Sequence, residues 1–194
     1  MSFIRTGRRS VAYVVVALVG SASLAHAQTG GVQAGAQASG PVIQSAGRSF
    51  LVEDPTFKVP AGHEFKMLFE INAGGDDTTK VSEQLTTVAR FYNLHVRNGY
   101  AKERLKAAAV VHGAGWQSLL TDSAYAARFK GARNPSRRLV EELVATGAQL
   151  ILCGQTAGSR GINRRELIPG VLVATSAMTA LNVLESNGYR MVTW

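Results

Sequence analysis

From Glu64 to the C-terminus, short apolar runs of strand length alternate with stretches of helical periodicity, and this alternation narrows the possible folds more than any other feature of the chain. Phe65 to Ile71 reads as a strand that ends in the turn-rich segment from Asn72 to Asp77. A helix is expected from about Thr79 to Asn98, because Val81, Leu85, Val88, Tyr92 and Val96 recur at steps of three and four. Thr78 or Thr79 can cap its start, and Gly99 can close it in the left-handed region. Leu105 to Val111 is a second strand; from Ala107 onward it is apolar without alternation, as in a strand covered on both faces. A helical stretch near Asp122 to Lys130 follows. Asn134 then caps a helix with Pro135 at its first position, Leu139, Val140, Leu143 and Val144 inward, and Gly147 at its end. Leu150 to Leu152 leads a third strand into Cys153, and Val171 to Val173 is a fourth. A helix over about Ser176 to Asn187 turns Met178, Leu181 and Leu184 inward, with Gly188 closing it before a short last strand from Tyr189 to Val192. Strands separated by helices imply parallel crossovers, so the expected fold class is α/β: a three-layer α/β/α sandwich with a mostly parallel sheet of about five strands.

The segment ahead of this domain has a different character. Arg5, Arg8 and Arg9 precede an apolar run from Val11 to Ala25, and Ala25-His26-Ala27 is a small-x-small cleavage site. The run is about 15 residues, short of the roughly 20 that span a bilayer. Residues 1–27 therefore read as a signal peptide cleaved after Ala27, and Arg8-Arg9 also permits twin-arginine export. The expected location is periplasmic or secreted, with no membrane association after signal cleavage. Residues 28–62 read as a flexible tether of Gly, Ala, Gln and Ser to about Gly40, then an extended arm packed on the domain. That arm holds three of the five prolines together with Phe50, Leu51, Val52 and Phe57. The domain itself covers 63–194.

Cleavage leaves 167 of the 194 residues, enough for one domain with a sizeable core. It also removes three arginines, so 21 basic residues fall to 18 against 13 acidic ones, a formal charge of +5. The basic stretches, Arg128 to Arg138 and Arg160 to Arg165, are short and contain Phe129 as their only aromatic. Nucleic-acid binding wants a longer basic stripe interleaved with stacking rings, so no nucleic-acid partner is expected. A single cysteine excludes an internal disulfide, CxxC redox chemistry, haem attachment and a multi-cysteine zinc site. His63, His95 and His112 show no ligand spacing, and neither a metal nor a cofactor is expected.

In an open parallel sheet, sites form beyond the carboxyl ends of the strands, which selects the loops starting at Asn72, His112, Cys153 and Ala174. Cys153 stands where a strand gives way to a turn and a short helix. Free backbone N–H groups at such a place favour a thiolate, the nucleophilic form, and Arg160 one turn on adds positive charge. The residues equally permit Cys153 to be a small buried hydrophobe that finishes a core strand. His112 can hydrogen-bond the thiol, orient a ligand or carry a proton, or be a histidine satisfied by backbone. Gly113-Ala-Gly115-Trp-Gln-Ser118 lacks the third glycine of a dinucleotide fingerprint, and Gly154 to Gly161 lacks the GK[ST] of a phosphate loop. Asp76 and Asp77 read as N-terminal helix charge rather than an acid–base pair.

Cys153-Gly-Gln-Thr-Ala157-Gly-Ser-Arg160-Gly161-Ile162 resembles the cysteine loop of DsrE/DsrF-like proteins, the DsrE/TusD sulfur-relay type. Ile168-Pro169-Gly170-Val171, Ser176-Ala-Met and Asn187-Gly188-Tyr189 extend the resemblance over about Phe65 to Trp194. It implies a parallel α/β fold assembling into a homo-oligomer, a trimer or hexamer. It implies further that Cys153 accepts sulfur as a persulfide and passes it on, with Gly154, Gln155 and Arg160 forming its loop and a sulfur donor or acceptor protein as partner. His112 and Asn72 stay local candidates for binding. The expectation is a periplasmic sulfurtransferase-type carrier; the alternative on the same fold is a non-catalytic ligand-binding or assembly module whose Cys153 loop lines a pocket or a subunit contact.

Overall fold

The computed structural model of the protein describes residues 1, 35–74 and 77–192. The expected signal peptide with its cleavage site, the start of the expected tether, and Asp76 lie outside the described residues. Five strands form one sheet: β1 (Phe65–Ile71), β2 (Leu105–Val111), β3 (Gln149–Cys153), β4 (Leu172–Ala174) and β5 (Arg190–Met191), in the order β4-β3-β2-β1-β5. Every adjacent pair is parallel. The helices are α1 (Glu83–Arg97), α2 (Asp122–Arg128), α3 (Arg137–Thr146), α4 (Gly154–Ser159) and α5 (Ala177–Ser186).

The chain steps outward from β1 to β4 with α1 to α3 packed on one face. It then returns over the other face through α5 to place β5 beside β1. Right-handed crossovers require this: reversing the direction of travel moves the connecting helix to the opposite face. Alternation along each strand feeds both layers. Phe69, Ile71, Ala107, Ala109, Val111, Leu150 and Leu152 join the larger core, and Leu68, Ala108, Val110 and Ile151 pack under Ala180 and Leu184 of α5. The expected sandwich is therefore present, with one face covered by a single helix.

Two helix starts and one inward face differ from the sequence reading. Helix α1 begins at Glu83, capped by Ser82, whose Oγ accepts from the Leu85 N–H at 3.3 Å. Thr79 donates its N–H and hydroxyl to Asp77 Oδ1, so the threonines belong to a turn that precedes the helix. Helix α3 is regular from Arg137; Asn134 caps the turn ahead of it, its Oδ1 accepting from the Ser136 N–H at 2.9 Å while its Nδ2 donates to the Ser118 and Leu120 carbonyls. On α5 the inward stripe runs through Ala180 and Leu184, with Leu181 alongside; Met178 points out and is 79 % exposed. It stands one residue past Ala177, about 100° round the helix from the stripe.

Residues 40–52 form a strap across α1. Ile43 is buried in the core, and Asn93, also fully buried, accepts from the Val42 and Ile43 N–H groups and donates to the Ile43, Ala46 and Gly47 carbonyls. Arg97 caps the Ala38, Ser39 and Gly40 carbonyls, and Glu142 accepts from the Gln44 and Ser45 N–H groups. The arm thus attaches through Ile43 and its backbone. Phe50, Leu51 and Phe57, the apolar residues that the sequence offers as its packing surface, stay exposed.

Candidate functional site

The carboxyl ends of β1, β2 and β3 bring the candidate residues to one edge of the sheet. Cys153 closes β3 and is also the N-cap of α4, with only 6 % of its surface exposed. Burial pushes its thiol up, but the backbone N–H and hydroxyl of Thr156, followed by the N–H groups of Ala177 and Gln155, outweigh burial and hold it below the ordinary cysteine value. These donors belong to the first turns of two different helices. The N–H groups of a first helical turn have no partner inside their own helix. The neutral thiol closes no capping hydrogen bond, so these donors gain most once the proton leaves. Ala177 reaches the sulfur because Ser176 caps α5 by accepting from the Thr179 N–H at 3.0 Å.

Gly154 lets the two helix starts approach. A β-carbon there would stand 2.6 Å from the Ala174 carbonyl oxygen and 3.0 Å from that of Thr175. Gln155 ties the same junction from the other side, donating from Nε2 to the Thr175 carbonyl at 3.2 Å. Gly154 and Gln155 therefore build the thiol's setting, as their place in the sequence suggests. Arg160 does not join them. It is exposed at the far end of α4, and the groups that lower the thiol are Thr156, Ala177 and Gln155. Asn72 is also drawn away: its Oδ1 accepts from Gln84 Nε2, while its own N–H and that of Ala73 donate to Gln84 Oε1.

His112 directly follows β2, and its Nε2 lies 2.8 Å from Glu70 Oε1. Glu70 and Thr156 are absent from the sequence reading. Thr156 carries a legible signal, standing three residues after a residue in cap position, where a cap's side chain meets a backbone N–H. Glu70 does not, because its neighbour is fixed only by strand register. Among the described residues no three His, Cys, Asp or Glu side chains gather as a metal site, and no helix is long and apolar enough to cross a membrane.

A bidentate pair fixes the segment after α4. Arg128 donates to both Glu166 oxygens, at 2.6 and 3.2 Å, and to the Gly161 carbonyl. The guanidinium first, and then the Asn163 N–H, bring the Glu166 carboxyl down to about 2 from its ordinary 4.5. Both side chains are about one-fifth exposed, which reduces the worth of that shift to about 2 kcal/mol. A depressed carboxyl stabilises the fold above its unfolded pKa and loses that effect as pH falls through the folded one. Arg128→Met is therefore expected to cost about 2 kcal/mol above about pH 6, with the difference from the natural protein shrinking between pH 4.5 and 2. Urea denaturation across that range checks it.

A parallel α/β sandwich whose lone cysteine ends a central strand between two helix starts defines a class of cysteine-loop proteins. The chain belongs to the DsrE/DsrF-like family, whose model matches residues 66–194. Among solved structures it is similar to MTH1491, a protein of unknown function from Methanobacterium thermoautotrophicum. That likeness has 22 % identity and a TM-score of 0.47, over 66 % of this chain and 98 % of the other. It is also similar to the ychN protein of E. coli, with 18 % identity and a TM-score of 0.45 over 67 % and 99 % of the two chains. No curated protein matches it.

Proposed function

We propose that the protein is an exported DsrE-like sulfur carrier in which the Cys153 thiolate accepts sulfane sulfur and passes it to a partner. The observation that carries this reading is the place of Cys153 at the N-cap of α4, against the start of α5, where the backbone N–H groups of both helix starts favour its thiolate. With thiosulfate as donor, the Cys153 sulfur attacks the outer sulfur. The donor S–S bond breaks with its electron pair leaving on sulfite, and a new S–S bond makes the persulfide anion. The donors that favour the thiolate then face the persulfide charge. An export signal in residues 1–27 sets the carrier in the periplasm or outside the cell. A homo-oligomer, trimer or hexamer, belongs to the same proposal, supported by the exposed Leu172, Met178 and Val183 beside the thinly covered sheet face.

The test is the rate of Cys153 alkylation against pH on the chain beginning at Gln28, with mass spectrometry after incubation with thiosulfate or polysulfide. The expected result is an inflection below about 8.5, the free-thiol value, and a gain of one sulfur atom on Cys153. The burial of Cys153 favours the second reading, a binding or assembly module. A slow thiol with an unshifted inflection and no added sulfur would establish that reading and remove the first.

A further inference from the structure

Glu70, His112 and Cys153 come from three neighbouring strands and share one face of the sheet. Leu68, Val110 and Ile151 all pack on the α5 side, and each candidate lies two residues beyond one of them, so side-chain alternation returns it to that side. His112 keeps the extended backbone that this requires, with φ −148° and ψ −164°. The register pairs Val111 with Leu152; one step further places His112 beside Cys153 on adjacent strands, whose backbones run about 4.8 Å apart. The Ala177 N–H favours the thiolate from the same side.

In a neutral imidazole, the nitrogen that faces a carboxylate at 2.8 Å carries the hydrogen, and the other nitrogen then carries the lone pair. Nδ1 of His112 is thus left as the base. The side chains of the pair are 27 % and 41 % exposed, and solvent screening leaves such a pair little weight in stability. A purely structural purpose for it is accordingly slight.

We infer that Glu70 is a positioning residue that holds His112 in its Nε2–H form, so that Nδ1 takes the proton from Cys153. The Sγ–H bond breaks, its electron pair stays on sulfur, an Nδ1–H bond forms, and Glu70 faces the resulting imidazolium. This rests on the sulfur-carrier reading of Cys153.

The test combines 15N NMR of the His112 ring with the rate of Cys153 reaction with a neutral disulfide at neutral pH. The natural protein should show the Nε2–H form, and Glu70→Ala a mixture of both forms. Glu70→Ala and His112→Gln should each slow the thiol roughly ten-fold, with the double variant no slower than either, because the carboxylate acts only through the ring. Melting temperatures should stay close together, which a structural role would not combine with a slowed thiol. An Nδ1–H ring in the natural protein would overturn the inference. So would a reactive, sulfur-accepting Cys153 whose rate ignores Glu70→Ala, and that outcome would leave the sulfur-carrier reading standing. A thiol already inert in the natural protein would overturn both.

Discussion

Asn93→Leu is expected to destabilise the protein by about 4 kcal/mol and to free the strap over α1. The side chain has no exposed surface and meets five backbone groups of residues 42–47. Leucine keeps the volume but leaves two N–H and two C=O groups facing hydrocarbon; only the Ile43 carbonyl keeps a partner, the Gly40 N–H. At about 1–3 kcal/mol for each unpaired buried group, the total would exceed the cost of lifting the strap into water. The strap therefore peels, and the loss is capped at what the strap contributes. That is the burial of Ile43, about 2–3 kcal/mol, together with its net hydrogen bonding. Gly47 allows no compromise position, since a β-carbon there would already stand 2.4 Å from the Arg90 backbone nitrogen, so the strap lies directly on the helix. Asn93→Asp separates the two halves of the interaction. It still accepts from Val42 and Ile43, but sets a carboxylate oxygen against three carbonyls, so it should fail at neutral pH as well. Denaturant unfolding and proteolysis between residues 40 and 52 read both variants. Resistance of the strap in Asn93→Leu would show that Ile43, Arg97 and Glu142 hold it without Asn93.

The strand–helix alternation was legible because each strand is bounded by glycine or a polar turn and the helices carry clear apolar stripes. What misled the start of α1 was side-chain competition: Thr79 is a good capping residue by type, but Asp77 claims it. The turn that Asn134 caps through the Ser136 N–H passes into regular helix only at Arg137. The strap could be suspected from Asn93, a polar residue inside the buried stripe between Ala89 and Tyr92 on one side and Val96 on the other. Its partners lie some 50 residues earlier, and no local pattern points to them. At the site, Cys153, Gly154 and Gln155 were legible because they are contiguous at a strand end. Ala177 and Glu70 were not, since one is delivered by the return of α5 across the sheet and the other by strand register. Arg160 illustrates the opposite error: proximity along the chain suggested a charge beside the thiol, but the short α4 carries it to the far end.

Gly154→Ala tests whether the meeting of two helix starts sets the thiol. The added methyl would stand 2.6 Å from the Ala174 carbonyl oxygen and 3.0 Å from that of Thr175. Both are backbone atoms, so no side-chain rotation relieves the contact. The β4–α5 junction has to move away from β3, and the Ala177 N–H moves with it. The thiol then keeps the penalty of burial and loses one of the donors that offset it. Its pKa should rise, and the neutral-pH alkylation rate should fall with the thiolate fraction. Overpacking adds a stability loss of about 1–3 kcal/mol. Gly158→Ala, on the same helix, is the matched control. Nothing lies within 4 Å of its added carbon, and alanine favours a helix by up to about 1 kcal/mol over glycine. It should leave the thiol unchanged and the protein as stable or slightly more so. If Gly154→Ala loses stability but keeps the natural pH profile, α5 takes no part in lowering the thiol and the effect belongs to Thr156 and Gln155 alone. If both the profile and the stability move together while Gly158→Ala leaves the profile where it was, the close approach of the two helices is what lowers the Cys153 thiol.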